Sequence, residues 1–337
     1  MKLTQCNSLG EWNLCIRHFA EANFLQSWQW GEFQQSLGKA VFRFVVLSGS
    51  QPIALAQVVR EPAKRGAYFA IAGGPLLDWN NHEVVTFLFA EIKKLAQQHS
   101  CFFIRFRPQV EQRLELRQLL HSIGAVTAPM HLTADLTIEI DLTKSDEELK
   151  AEMRKQHRQA LKKATELGVH VQLSKNIKDL KQFYQEQLVV AQRQGFVPFS
   201  ERFLTKQFEA FVADDQITLF HAYYEKTLLA SAFVIFYNGE AVYHYGISTS
   251  ENREYPGSYA CQWAIIQEAK KRGCSRYNLW GVSPKDAIHH RFYGVGLFKR
   301  GFGGKEVAYV PAQDIPLNWK YWLTWIFETL RRKMRKL

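Results

Sequence analysis

The chain has 337 residues, 47% apolar and 22% charged, a balance that excludes a disordered or fibrous chain. That length exceeds what one ordinary core serves, so two domains are expected. The net charge is +11 and uneven: residues 1–145 hold 14 Lys and Arg against 12 Asp and Glu, and residues 146–337 hold 29 against 20.

A basic second half calls for an anionic partner, whether nucleic acid, a phosphorylated substrate or an anionic membrane surface. No apolar run reaches the roughly 18 residues of a spanning helix. The opening "MKLTQCNSLGEWNL" lacks the apolar core of a signal peptide, so a cytoplasmic protein is expected. Cys6, Cys15, Cys101, Cys261 and Cys274 lie far apart and form no CxxC, which disfavours a disulfide framework or a structural zinc. His289 and His290 are sequence neighbours with no partner cluster, so no metal and no cofactor are expected.

Residues 11–36 read as helical. "FRFVVLSGSQPIALAQVVR" (42–60) then reads as a β-hairpin turning at 48–52. "AYFAIAGGPLLD" is a strand, "EVVTFLFAEIKKLAQQH" an amphipathic helix and "CFFIRFRP" another strand. The order then repeats. Residues 178–213 are helical, and "ITLFHAYYEKTLLASAFVIFY" (217–237) is a hairpin turning at Glu225 and Lys226. "AVYHYGIST" is a strand, "SYACQWAIIQEAKKRG" a helix and "RYNLWGVSP" a strand. The two series correspond at a shift of about 175 residues, the mark of a duplicated unit.

That order resembles an acyl-CoA N-acyltransferase (GNAT) unit. Such a unit grips the coenzyme pyrophosphate with backbone N–H groups at a helix N-terminus. The two candidate turns here, "IAGGPLLDWNNHE" and "STSENREYPGSYA", keep no R/Q-x-x-G-x-G/A spacing, which disfavours acyl-CoA as donor.

A second resemblance spans nearly the whole chain. "FLQSWQWGEFQ", "GGPLLDW", "IDLTKSDEELKAEMRKQHRQALKKATELGV", "AQRQGF", the block from "YHYGISTSENREYPGSYA" to "YNLWGV", and "LFKRGFGG" with "AYVPAQD" resemble, in order, segments of the FemABX family. These are tRNA-dependent aminoacyl-ligases of peptidoglycan cross-bridge synthesis. The resemblance implies an α/β fold of two tandem GNAT-like domains, each a mixed sheet flanked by helices. The expected boundaries are 1–145, completed by 317–337, and 146–316. The basic helix, the strand "VHVQL" and the next helix leave no room for the coiled-coil arm of longer members.

The implied reaction joins the side-chain amine of the third stem-peptide residue of a murein precursor, lipid- or UDP-linked, to an aminoacyl group carried as an ester on tRNA. The ester is already activated, so positioning and stabilisation of the developing oxyanion are what a protein must add. Lys299, after Phe298 in the family's F-K motif, is the implied catalytic cation. On spacing alone it reads as a surface lysine after a turn. The resemblance places Arg193 on the precursor diphosphate, a target suited to a guanidinium fork. Tyr243 and Tyr245 are candidates for lining the precursor groove, one of the two being expected there. Alternation puts both rings on one face of a strand, where a core aromatic pair is the other reading. Gln26 and Trp30 are further precursor candidates, and Trp30 fits a core role equally. Gln34 stands where the family has a precursor-binding Lys, with Lys39 the nearest cation. Arg107 stands where members carry an Asp, so no general base is named.

Arg154, Lys155, Arg158 and Lys162 lie on a basic helix, where tRNA phosphate contact is the functional reading and a solvated charged face the other. In "WKYWLTWIFETLRRKMRKL", Trp319, Trp322, Leu323, Ile326, Phe327 and Leu330 form one helical stripe beside a basic end. Residues 319–337 therefore suit peripheral contact with the inner membrane leaflet, or docking on the first domain. Two other readings stay open. One is an N-acyltransferase using acyl-CoA or acyl-carrier protein. The other is a non-catalytic RNA- or membrane-associated binding protein.

Overall fold

The computed structural model describes residues 1–249 and 254–334. Residues 250–253, inside the turn "STSENREYPGSYA", and 335–337, the end of the basic tail, lie outside the described residues. Two compact units form: Met1–Asp135 with Ala308–Leu337, and Leu136–Val307.

The first unit opens with β1 (Lys2–Gln5), α1 (Leu9–Ile16) and α2 (Trp28–Ser36), followed by the hairpin β2 (Ala40–Ser48) and β3 (Gln51–Glu61). Next come β4 (Tyr68–Gly73), β5 (Leu76–Leu77), α3 (His82–Gln98), β6 (Phe103–Pro108), α4 (Leu114–Ser122) and β7 (Val126–Thr127). Side chains of Ser27 and Asn81 cap α2 and α3 by accepting first-turn N–H groups. Helix α3 buries Val85, Leu88, Phe89 and Ile92 on one stripe against Phe69, Ile71 and Phe106 of the sheet.

The second unit runs β8 (Leu136–Asp141), α5 (Asp146–Glu152), α6 (Lys155–Glu166), β9 (His170–Ser174), α7 (Ile177–Gln194), α8 (Glu201–Val212), β10 (Ile217–Tyr224) and β11 (Thr227–Tyr237). It continues through β12 (Glu240–Ser248), α9 (Gly257–Lys271), β13 (Arg276–Asn278), α10 (Tyr293–Arg300) and β14 (Lys305–Ala308). Then β15 (Gln313–Pro316) and α11 (Tyr321–Met334) rejoin the first unit. Short connections join α6, β9 and α7, and no long helical hairpin intervenes.

The sheets have matching orders: β1-β2-β3-β4-β6-β15-β7, with β5 on β3, and β14-β8-β13-β12-β11-β10-β9. In each, a hairpin leads to a parallel strand pair, β4 with β6 and β12 with β13, crossed by one helix, α3 or α9. Corresponding elements begin roughly 175 residues apart, as the sequence pattern predicts.

Two details depart from the sequence expectations. The unit boundaries fall at 135/136 and 307/308 rather than at 145 and 316. Strand β8 pairs with β13 and so belongs to the second sheet, and β15 pairs with β6 and belongs to the first. Only the pairing partner, a non-local fact, decides which unit owns such a strand. Nor do Tyr243 and Tyr245 share a face. A bulge sets Phe233 opposite Tyr245 and the next residue, Val234, opposite Tyr243, so β12 spends one extra residue, His244. Tyr243 then packs into the α9-side core, and the Tyr245 hydroxyl donates to Gln207 of α8 at 3.1 Å.

Candidate active site

Helix α10 lies in the second unit and turns Lys299 inward, leaving it 6% exposed. Its Nζ donates to the Gly281 carbonyl at 2.8 Å and stands 5.5 Å from the centre of the Tyr243 ring. An ammonium has three protons to donate, and among the described residues no carboxylate comes within ion-pair distance of this one. Burial lowers its pKa to about 7, because desolvation disfavours the charged form and nothing opposite compensates. Arg300, the next residue, is tied down through two of its guanidinium nitrogens. Its Nε donates to Glu306 at 2.7 Å and its Nη2 to the Ser283 carbonyl at 2.6 Å. Of the two cations in "GVGLFKRGFGG", Arg300 is paired with a carboxylate and Lys299 meets only a backbone carbonyl.

A left-handed turn supplies the acceptor for Lys299. The parallel pair β12–β13 is short, ending at Val242 opposite Asn278. Trp280 then adopts φ 59°. For a bulky residue that costs on the order of 1–3 kcal/mol and persists only where the surroundings impose it. Here the Asn278 Oδ1 accepts from the Trp280 N–H at 2.9 Å and from the Thr137 hydroxyl at 2.6 Å, while Asn278 Nδ2 donates to Glu240 at 3.0 Å. The turn brings the Gly281 carbonyl to Lys299. His244, the bulge residue, packs 5.4 Å from the Trp280 ring. Burial holds its pKa near 3, so it stays neutral.

His157 of α6 fixes the other side of α10. Its Nε2 lies 2.9 Å from the Phe298 carbonyl, and its ring sits among Tyr259, Phe298 and Phe302. Burial lowers its pKa, which suits a neutral ring donating to that carbonyl. Gly301 makes this approach possible, because a Cβ there would collide with the imidazole. A Cβ on Gly296 would likewise press on Arg300 and Ser283.

Lys299, Phe298 and Tyr243 are thus brought together, with Tyr245 behind the bulge. Arg193 is exposed at the end of α7 and donates to the Ser248 carbonyl at the end of β12, 3.0 Å away. Trp30 and Gln34 belong to the first unit. Trp30 is half-buried between Phe24 and Phe33, and Gln34 accepts from Lys39 Nζ at 2.9 Å. Gln26 is fully buried in a network: it donates to the Ala72 carbonyl at 2.7 Å and accepts from the Gln57 N–H at 2.8 Å. Arg107 is buried and serves the fold, donating to the Ala134 carbonyl above the Tyr309 ring.

Arg154, which precedes α6, and Lys155, Arg158 and Lys162 on it are all exposed. Arg158 turns back to donate to the Met153 carbonyl at the end of α5, and Lys162 pairs with Glu166 at 3.6 Å. His290 accepts from the Phe292 N–H. Sequence reasoning missed His157, Thr137, Asn278 and Trp280. An Asn closing a strand two residues before Trp280-Gly281 is the one local signal of such a turn.

The FemAB family matches the sequence over residues 15–225 and 215–329. The chain belongs to the FemAB family. It is similar to the Staphylococcus aureus protein named aminoacyltransferase FemA, with 38% identity over 79 residues. That stretch is 23% of this chain and 19% of the relative, so the match spans about a fifth of the relative's length. Among solved structures, the crystal structure of FemX superposes with a TM-score of 0.87 at 17% identity, covering 97% of this chain and 100% of that one. The tandem GNAT protein from the clavulanic acid biosynthesis pathway gives 0.58 at 12% identity, covering 94% and 98%. The fold of this FemAB-family chain is accordingly two GNAT-like units in tandem.

Proposed function

We propose that this FemAB-family chain is an aminoacyltransferase that moves an aminoacyl group from its tRNA ester to the stem-peptide amine of a peptidoglycan precursor, lipid- or nucleotide-linked. The observation that carries the reading is Lys299, a buried cation facing no carboxylate among the described residues beside an opened strand pair. Such a group is costly until negative charge arrives.

In the proposed step the amine nitrogen attacks the ester carbonyl carbon and the carbonyl oxygen takes up negative charge. The Lys299 ammonium stabilises that oxygen in a desolvated setting, where the interaction is far stronger than in water. As the tetrahedral carbon collapses, its bond to the ribose oxygen breaks. That oxygen gains one proton and the new amide nitrogen loses one. A pKa about 7 lets Lys299 give and regain a proton at neutral pH. Arg193 and the exposed cations of α6 are the proposed phosphate contacts.

The test incubates the protein with charged tRNAs and a murein precursor and reads product mass. An increment of one aminoacyl residue, lost in Lys299→Ala, is expected. No increment with any charged tRNA, together with a thermal shift on adding CoA, would replace this reading by an acyl-CoA transferase.

A further inference from the structure

Helix α11 docks through its polar side. Tyr321 is fully buried, with its ring against Phe103 and its hydroxyl donating to Asp314 at 3.0 Å. Thr324 is buried, and Glu328 accepts from Arg105 at 2.7 Å. The apolar side of the helix faces outward: Leu323 is 57% exposed, Ile326 52% and Leu330 55%, with Trp322 and Met334 also exposed. Amphipathic helices normally dock the other way round, apolar stripe inward. An exposed contiguous stripe of this kind marks a surface that another phase or partner covers.

Charge says which. Between 319 and 334 the one carboxylate is Glu328, and Arg105 engages it. Cations surround the stripe. Arg331, Arg332 and Lys333 occupy the last turn, and the sequence continues with Arg335 and Lys336. From the neighbouring loop, the Arg65 guanidinium lies 3.6 Å from the centre of the Phe327 ring, beside exposed Lys64.

A second copy of this face would set two basic clusters against each other. A nucleic acid would have no use for Leu323, Ile326 and Leu330. An anionic bilayer surface satisfies both features, with aliphatic side chains and Trp entering the acyl boundary and cations meeting lipid phosphates. Fourteen residues at about 1.5 Å each are too short to cross a hydrocarbon core of about 30 Å. No helix of the described residues is long and apolar enough to cross a membrane, so α11 would lie in the interface plane.

We propose that the outward face of α11, with Lys64 and Arg65, is a docking surface for an anionic lipid bilayer. The attachment is independent of the transfer chemistry, and it would bring the chain to where a lipid-linked acceptor resides.

The experiment floats the purified chain with vesicles of phosphatidylcholine mixed with phosphatidylglycerol, and with vesicles of phosphatidylcholine alone. The expected result is co-flotation with the anionic vesicles and at least tenfold weaker association with the neutral ones. L323D combined with I326D should abolish it while circular dichroism and the melting temperature stay unchanged, because both side chains are exposed. Lys333→Ala should weaken it about fivefold, less at raised salt. Absence from the floating fraction with both vesicle types would overturn the proposal. So would unchanged flotation of the double variant. A dimer seen by sedimentation without lipid and lost in the double variant would assign the face to self-association. Binding of tRNA in lipid's stead, lost in Lys333→Ala and kept in the double variant, would assign it to nucleic acid.

Discussion

The two units repeat one plan and treat a buried cation in opposite ways. In the first, Arg105 on β6 is clamped by Asp314 at 2.7 Å through both carboxylate oxygens and by Glu328 at 2.7 Å. Desolvation would lower its pKa, but these hydrogen bonds and charges outweigh it and raise it. The ladder beside it is continuous, β4 pairing with β6 from Phe69 to Gly73. In the second unit the equivalent ladder stops after Val242, a bulge follows, and Lys299 is buried there facing no carboxylate among the described residues. A matched buried charge serves the fold, whereas the unmatched one is where the proposed reaction would bring a ligand's charge.

The first way to break this contrast is to cut each cation. Arg105→Met leaves Asp314 and Glu328 without their cation and should cost about 3–5 kcal/mol in urea unfolding. Turnover at a temperature where the variant stays folded should be unaffected. Lys299→Met should do the reverse. Losing the oxyanion partner should lower kcat by about 10²–10³, while stability rises by at most on the order of 4 kcal/mol at neutral pH.

The sign follows from the two states. Unfolded, this lysine titrates near 10.5, and folded, at about 7. Between those values the unfolded chain holds a proton that the folded chain has shed, so wild-type stability climbs with pH across that window. Below it both states are charged and the full cost of burial remains. The gain from Lys299→Met should therefore be largest at or below pH 7 and fade towards pH 10.5. A variant less stable than wild type at pH 7 would mean that Lys299 is a structural partner like Arg105.

Much of this was legible beforehand. Hairpins, crossover helices and the repeat follow from periodicity and turn residues, which are local. Lys299 enters as a candidate only through the family motif, since spacing alone leaves it a surface lysine. What stayed hidden depends on pairing. Which sheet takes β8 is set by β13, far along the chain. The faces of Tyr243 and Tyr245 are set by one inserted residue, to which period-2 reasoning is blind. His157 reads as one more polar residue of a basic helix until α6 is packed on α10.

That packing gives a third test, of smaller size. Gly301→Val should push the His157 ring away and destabilise the second unit by about 1–3 kcal/mol. His157→Ala leaves the Phe298 carbonyl without its donor, at a cost of about 1–3 kcal/mol. If the two act through one contact, the double variant loses clearly less than the sum. Strict additivity would separate α6 from the placement of Lys299.

Exposed cations should show the weakest effects, and here the comparison moves onto one helix. Arg158 already has a structural duty at the end of α5, and Lys162 has Glu166 within 3.6 Å. Lys155 meets no carboxylate within ion-pair distance among the described residues. Lys155→Ala should change stability by no more than about 0.5 kcal/mol. If its ammonium meets a tRNA phosphate, the slope of log affinity against log salt should fall by about 1, because one fewer counterion is released. Arg158→Ala should lower stability as well, since it frees the Met153 carbonyl. A Lys155 variant that keeps both tRNA affinity and salt slope would make this face of α6 solvated charge, and the phosphate contacts would have to be sought elsewhere in the basic second half.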